Sequence, residues 1–84
     1  MDLMTIQKTE YQITLDIWAF YQKWLKKMPL AVEAWRGVLD DANQMAMKYE
    51  RYGSTTINKQ INATIDRLEF ISKNLNFGKE AYEE

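Results

Sequence analysis

Apolar residues recur at three- and four-residue spacing in three stretches of the chain, separated by two breaks, Lys27-Met28-Pro29 and Tyr52-Gly53-Ser54. Such spacing places apolar side chains on one face of an α-helix. It predicts helices over about 9–27, 30–51 and 55–76, followed by a charged, flexible acidic tail at 79–84. Three helices with short connections predict an all-α fold, an antiparallel up-down-up three-helix bundle. The alternative is a long helical hairpin whose core is completed by dimerisation.

In the first segment, Thr9-Glu10-Tyr11-Gln12 matches a Thr-x-x-Gln capping box and predicts the helix start. Its apolar residues form two adjacent rows. Ile13, Ile17, Phe20 and Trp24 make one, and Tyr11, Trp18, Tyr21, Leu25 and Met28 the other. Together they span roughly 200° of the helix, so this helix is either central or has apolar surface to spare. Tyr11, Ile13, Leu15 and Ile17 also alternate with polar residues, as in a strand. No second strand is apparent to pair with it, so helix is preferred.

In the second segment, Trp35, Val38, Leu39, Ala42, Met45, Ala46 and Tyr49 form an apolar face. Pro29 suits its first helical position, and Gly53 suits a left-handed residue just past its end. In the third, Ile57, Ile61, Thr64, Leu68, Ile71 and Leu75 form a coiled-coil-like seam that Ile65 widens. Ser54, Thr55 or Thr56 is the expected N-cap, and Asn76 or Gly78 the expected end.

Composition narrows the function. With 84 residues and 46% hydrophobic content, the chain is expected to be one folded domain. Its net charge of −1 gives no overall basic footprint for nucleic acid. The N-terminal MDLMTIQK lacks a signal-peptide pattern, and lysines and a glutamine interrupt the apolar run Ile17 to Leu30. A soluble, cytoplasmic protein is expected.

The chain has no Cys and no His, which removes the strongest common nucleophile and the commonest general base. Asp40 and Asp41 are adjacent on a helix, hence about 100° apart, and cannot act as a dyad. No metal-ligand spacing occurs, and Gly37, Gly53 and Gly78 fit no phosphate-binding fingerprint. No enzymatic activity, cofactor or metal is therefore expected. Gly37, in mid-helix, reads either as a tolerated exposed glycine or as a contact point for a partner.

What remains is binding. Trp18, Tyr21, Leu25, Trp35, Leu39, Ala42 and Tyr49 are expected in the core. Phe20, Trp24, Met47, Tyr52 and Phe70 fit the core less comfortably and are the candidate partner-binding residues. The expected partner is a protein, either a second copy or a larger one. The alternative is a helix-turn-helix-like DNA-binding regulator reading bases with Asn58, Lys59, Asn62 and Arg67 of the third helix. Asp66 and Glu69 on that helix oppose it. A structural subunit of a larger complex is a weaker alternative, and a membrane-surface role on Lys23, Lys26 and Lys27 weaker still. In its richness in Asn, Ile, Lys and Tyr, the chain resembles the short accessory proteins of phages and mobile elements of low-GC Gram-positive bacteria. The likeness covers the whole chain loosely and has no motif. It implies a protein that blocks or redirects a host or element-encoded protein.

Overall fold

A computed structural model describes the backbone of residues 2–82 and the side chains of residues 2–75. The chain forms three helices, α1 (Leu3–Leu25), α2 (Val32–Lys48) and α3 (Ser54–Tyr82). All three pairs of helices are in contact, and the molecule measures 54 × 26 × 19 Å.

The first helix starts earlier than the capping-box pattern predicts. Asp2 is its N-cap and accepts a 2.7 Å hydrogen bond from the Thr5 backbone N–H. A carboxylate there also complements the positive end of the helix dipole. Thr9, the expected cap, lies inside the helix and donates its hydroxyl to the Thr5 carbonyl. The alternating stretch Tyr11 to Ile17 is helical throughout. Residues two apart on a helix point about 200° from each other. Alternation here therefore marks two opposite apolar faces.

α2 begins at Val32, past Pro29, and has no side-chain cap; the Ala34 N–H bonds the Ala31 carbonyl. It ends at Lys48, short of the expected 51. Gly53 is left-handed, with φ +57°, but it precedes α3 instead of following α2 directly. Its carbonyl accepts the Ile57 N–H, so Ser54, an expected cap, already lies in the helix. α3 continues through Asn76 and Gly78, where an end was expected, to Tyr82. The helix thus includes the backbone of most of the expected tail. The tail's side chains, and residues 83–84, lie outside the described residues.

The core contains Ile13, Phe20 and Trp24 of α1, Val38 and Ala42 of α2, and Ile57, Ile61 and Leu68 of α3, with Leu30 and Tyr49 at its edges. The α3 seam holds from Ile57 to Leu68, whereas Leu75 is half exposed. Phe20 and Trp24, expected at a partner surface, are 5% and 6% exposed. Conversely, Trp18 (58%) and Leu39 (53%), expected inside, face solvent. Of the two rows on α1, the inward one is that of Ile13, Phe20 and Trp24.

Trp24 faces inward because the chain makes a seat for it. A methyl at Gly37 would lie 2.6 Å from the Trp24 ring, so the absent side chain lets the indole rest on the α2 backbone. Gly37 is therefore neither a spare glycine nor a contact for an outside partner; its role is internal. The indole Nε1–H donates to Asp41 at 3.0 Å, satisfying the polar edge of a buried ring. Lys23 and Lys27 place their ammonium groups 5.1 and 4.7 Å from its centroid.

Two carboxylates tie α1 to α2 in a reciprocal arrangement. Asp16 of α1 accepts from Lys48 at 2.7 Å and from the adjacent Tyr49 hydroxyl, and its other oxygen accepts from Gln12. Asp41 of α2 accepts from Lys23 at 2.7 Å and from the adjacent Trp24. In each helix an Asp is followed, after six residues, by a Lys-aromatic pair: Asp16 by Lys23-Trp24, and Asp41 by Lys48-Tyr49. Each Asp captures the Lys-aromatic pair of the other helix. This short correspondence was hidden in the sequence because the intervening residues share no identity. Partial burial pushes the Asp16 carboxyl up, but the hydrogen bonds from Lys48, Tyr49 and Gln12 outweigh it and leave it below the usual aspartate value. The bond to Asp16 raises Lys48; burial, followed by the bond to Asp16, raises Tyr49.

Candidate functional site

The carboxylate ties are structural, and the surface they leave free is the outward side of α1. Met4, Tyr11, Leu15, Trp18 and Leu25 fall on the a/d positions of a heptad register, with Lys8 and Gln22 at the two remaining positions. None of them belongs to the core. Met4 and Tyr11 are each 66% exposed, and Leu15 and Trp18 are also open. This row lies roughly opposite Ile13, Phe20 and Trp24 on the helix, so α1 is apolar on two sides. Starting the helix at Thr9 leaves out the first two positions of the row, Met4 and Lys8.

Beside the row, α1 and α3 enclose a groove of about 460 Å³. Ile17, Trp18 and Tyr21 form the α1 wall, and Gln60, Ala63 and Arg67 the α3 wall. The Trp18 and Tyr21 rings are 6.0 Å apart and tilted by 34°, an aromatic pair along the α1 wall. Phe70 is 63% exposed, and its position seven residues past Ala63 puts it on the same side of α3.

The expected partner-binding residues do not form one patch. Phe20 and Trp24 are core. Met47 is exposed on α2, away from the α1–α3 groove. Tyr52 is partly buried, and the facing Glu10 carboxylate raises its hydroxyl pKa. Of the five, only Phe70 lies on the groove side of α3, beyond the lining residues. The expected base readers are also divided. Asn58 and Asn62 line a depression shared with Asn43 of α2, whereas Arg67 faces α1 and Lys59 is exposed. Side chains on opposite flanks of one helix cannot enter the same groove edge together.

A second groove, of about 410 Å³, lies between α1 and α2, with Asp16, Lys23, Asp41 and Lys48 on its walls. Both of its carboxylates are already paired with lysines. Among the described residues, no three Asp or Glu side chains come together to hold a metal, and no helix is long and apolar enough to cross a membrane. Comparisons with protein-family models, curated proteins and solved structures find no match to this chain.

Proposed function

We propose that this protein is a non-catalytic protein-interaction module that docks a partner protein on the outward face of α1 and the adjoining α1–α3 groove. The observation that carries this reading is the exposed row Met4, Tyr11, Leu15 and Trp18 at helix-pairing spacing. Tyr11 and Trp18 alone leave roughly 250 Å² of ring surface open, taking about 200 Å² for a fully buried aromatic. With Met4 and Leu15 the patch reaches the size that marks interaction sites on soluble domains. Large aromatic anchors of this kind dominate binding energy. The bundle supplies a rigid frame, and the mechanism is occlusion or scaffolding in the cytoplasm, in the manner of the phage and mobile-element accessory proteins that the composition resembles.

Solution mass and dye binding test the reading. The native protein is expected either to self-associate or to bind ANS as a monomer. Leu15→Glu/Trp18→Glu is expected to abolish either behaviour while preserving helix content by circular dichroism, since both side chains lie outside the core. A native monomer that binds no dye would remove the interaction reading.

A further inference from the structure

The charges around the exposed row specify what it docks, given that the row is a docking face. Lys8 is part of the row, and Lys26 lies eighteen residues further on, five full helical turns, hence on the same side of α1. On the other side, across the groove, stands Arg67 of α3. Among the described residues the ion pairs are Lys23–Asp41 and Lys48–Asp16, and none of these three cations pairs with a described carboxylate.

The acids of α1 and α3 are directed elsewhere. Asp2 caps α1, Glu10 faces Tyr52, and Asp16 is taken by Lys48 and Tyr49. Glu69 lines the depression beside Leu30 and Trp35. Asp66 is about 100° around α3 from Arg67, beyond Phe70 from the groove. A protein with a net charge of −1 thus presents an apolar strip with a basic rim on both sides.

We infer that the occupant of this face is an acidic amphipathic helix of a foreign protein, with apolar side chains seated between Tyr11, Leu15 and Trp18 and carboxylates flanking them toward Lys8, Lys26 and Arg67. The heptad placement of Tyr11, Leu15 and Trp18 fits a helix laid along the row. The rim requires acid, since like charges across an interface are strongly disfavoured. A second copy meets the same condition poorly, because two such faces would bring the Lys8, Lys26 and Arg67 rims together.

Two labelled synthetic peptides of about 20 residues test this, helical and with identical leucines at a and d positions. One carries Glu on its flanks and the other Lys. Fluorescence anisotropy against the full chain at low salt is expected to show at least about tenfold tighter binding of the Glu peptide, with the ratio shrinking as salt rises. The variant Lys8→Glu/Arg67→Glu, both sites exposed, is expected to reverse the preference. Leu15→Glu/Trp18→Glu is expected to abolish binding of both.

Equal affinity for both peptides, lost in the Leu15/Trp18 variant, overturns the acidic occupant and leaves the docking face standing. Absence of binding to either peptide also overturns it, and the ANS and mass measurements then decide separately whether the face docks anything. A stable dimer disrupted by Leu15→Glu/Trp18→Glu overturns it in favour of a second copy. Binding to anionic vesicles or duplex DNA without peptide binding overturns it in favour of those polyanions.

Discussion

Replacing Gly37 by alanine isolates the contact that determines how α1 sits on α2. In an exposed helix interior this change stabilises by about 1 kcal/mol, because alanine has the better helix propensity. Here the new methyl would be 2.6 Å from the Trp24 ring edge and 3.2 Å from the next ring atom. Comfortable carbon contacts begin near 3.5 Å, so the ring or the helix must move by about 0.9 Å. The ring is not free to yield, since it is 6% exposed and tied to Asp41 through its N–H. Overpacking of this kind costs about 1–3 kcal/mol. The propensity gain offsets part of it, leaving a net loss of about 1 kcal/mol. For a chain this short, that lowers Tm by about 4–8 °C. Urea unfolding followed by circular dichroism reads the change as a lower midpoint at unchanged slope. The Trp24→Phe background supplies the control. The smaller ring falls short of Gly37, so adding Gly37→Ala there is expected to recover the helical gain of about 1 kcal/mol. If Gly37→Ala raised the midpoint equally in both backgrounds, the seat would carry no energetic weight.

Two further predictions concern the ties between elements. Asp16 has a depressed pKa in the folded state, so its contribution is fully present above the ordinary carboxylate value near 3.9 and is lost as pH falls through the folded value. Asp16→Asn is therefore expected to cost about 1 kcal/mol at neutral pH and to flatten the acid side of the stability profile; an unchanged acid slope would show that the carboxylate is not the titrating group. Ser72 is buried, and its hydroxyl accepts the Leu30 backbone N–H at 3.2 Å, fixing the α1–α2 connection to α3. Ser72→Ala leaves that N–H without its partner and is expected to destabilise by about 1–3 kcal/mol, whereas a loss below about 0.5 kcal/mol in urea unfolding would refute the assignment.

Helix count and class were legible because local periodicity encodes them. So was the inward side of α3 from Ile57 to Leu68, where a single seam stood against a polar background. On α1 two apolar rows competed, and local spacing alone could not decide between them. The decision comes from Gly37 and Asp41 on α2, which provide the space and the hydrogen-bond acceptor for Trp24. Aromatic size was a poor guide to interface membership for the same reason: Trp24 has a prepared place, and Trp18 does not. Tyr11, Trp18 and Leu25 were legible as a row, but its extension to Met4 and Lys8 was hidden by a capping motif that matched at Thr9 while a stronger cap, the Asp2 carboxylate, lay seven residues earlier. Gly53 kept its left-handed conformation but in a different role, because α2 ended a turn sooner than its apolar pattern implied.

The reciprocal Asp and Lys-aromatic pairing also makes α1 and α2 unequally tolerant of length change along their course. Within each helix, the Asp and the Lys that follows it are seven residues apart, close to two full turns, and so point the same way. One residue inserted or deleted between them turns the Asp by about 100° relative to the Lys-aromatic pair, so no single placement of that helix satisfies both ties. The same edit in the connection before Val32 leaves the spacing within both helices intact. The hairpin thus acts as a gauge of its own register, permissive at its bend and strict over the spans 17–22 and 42–47.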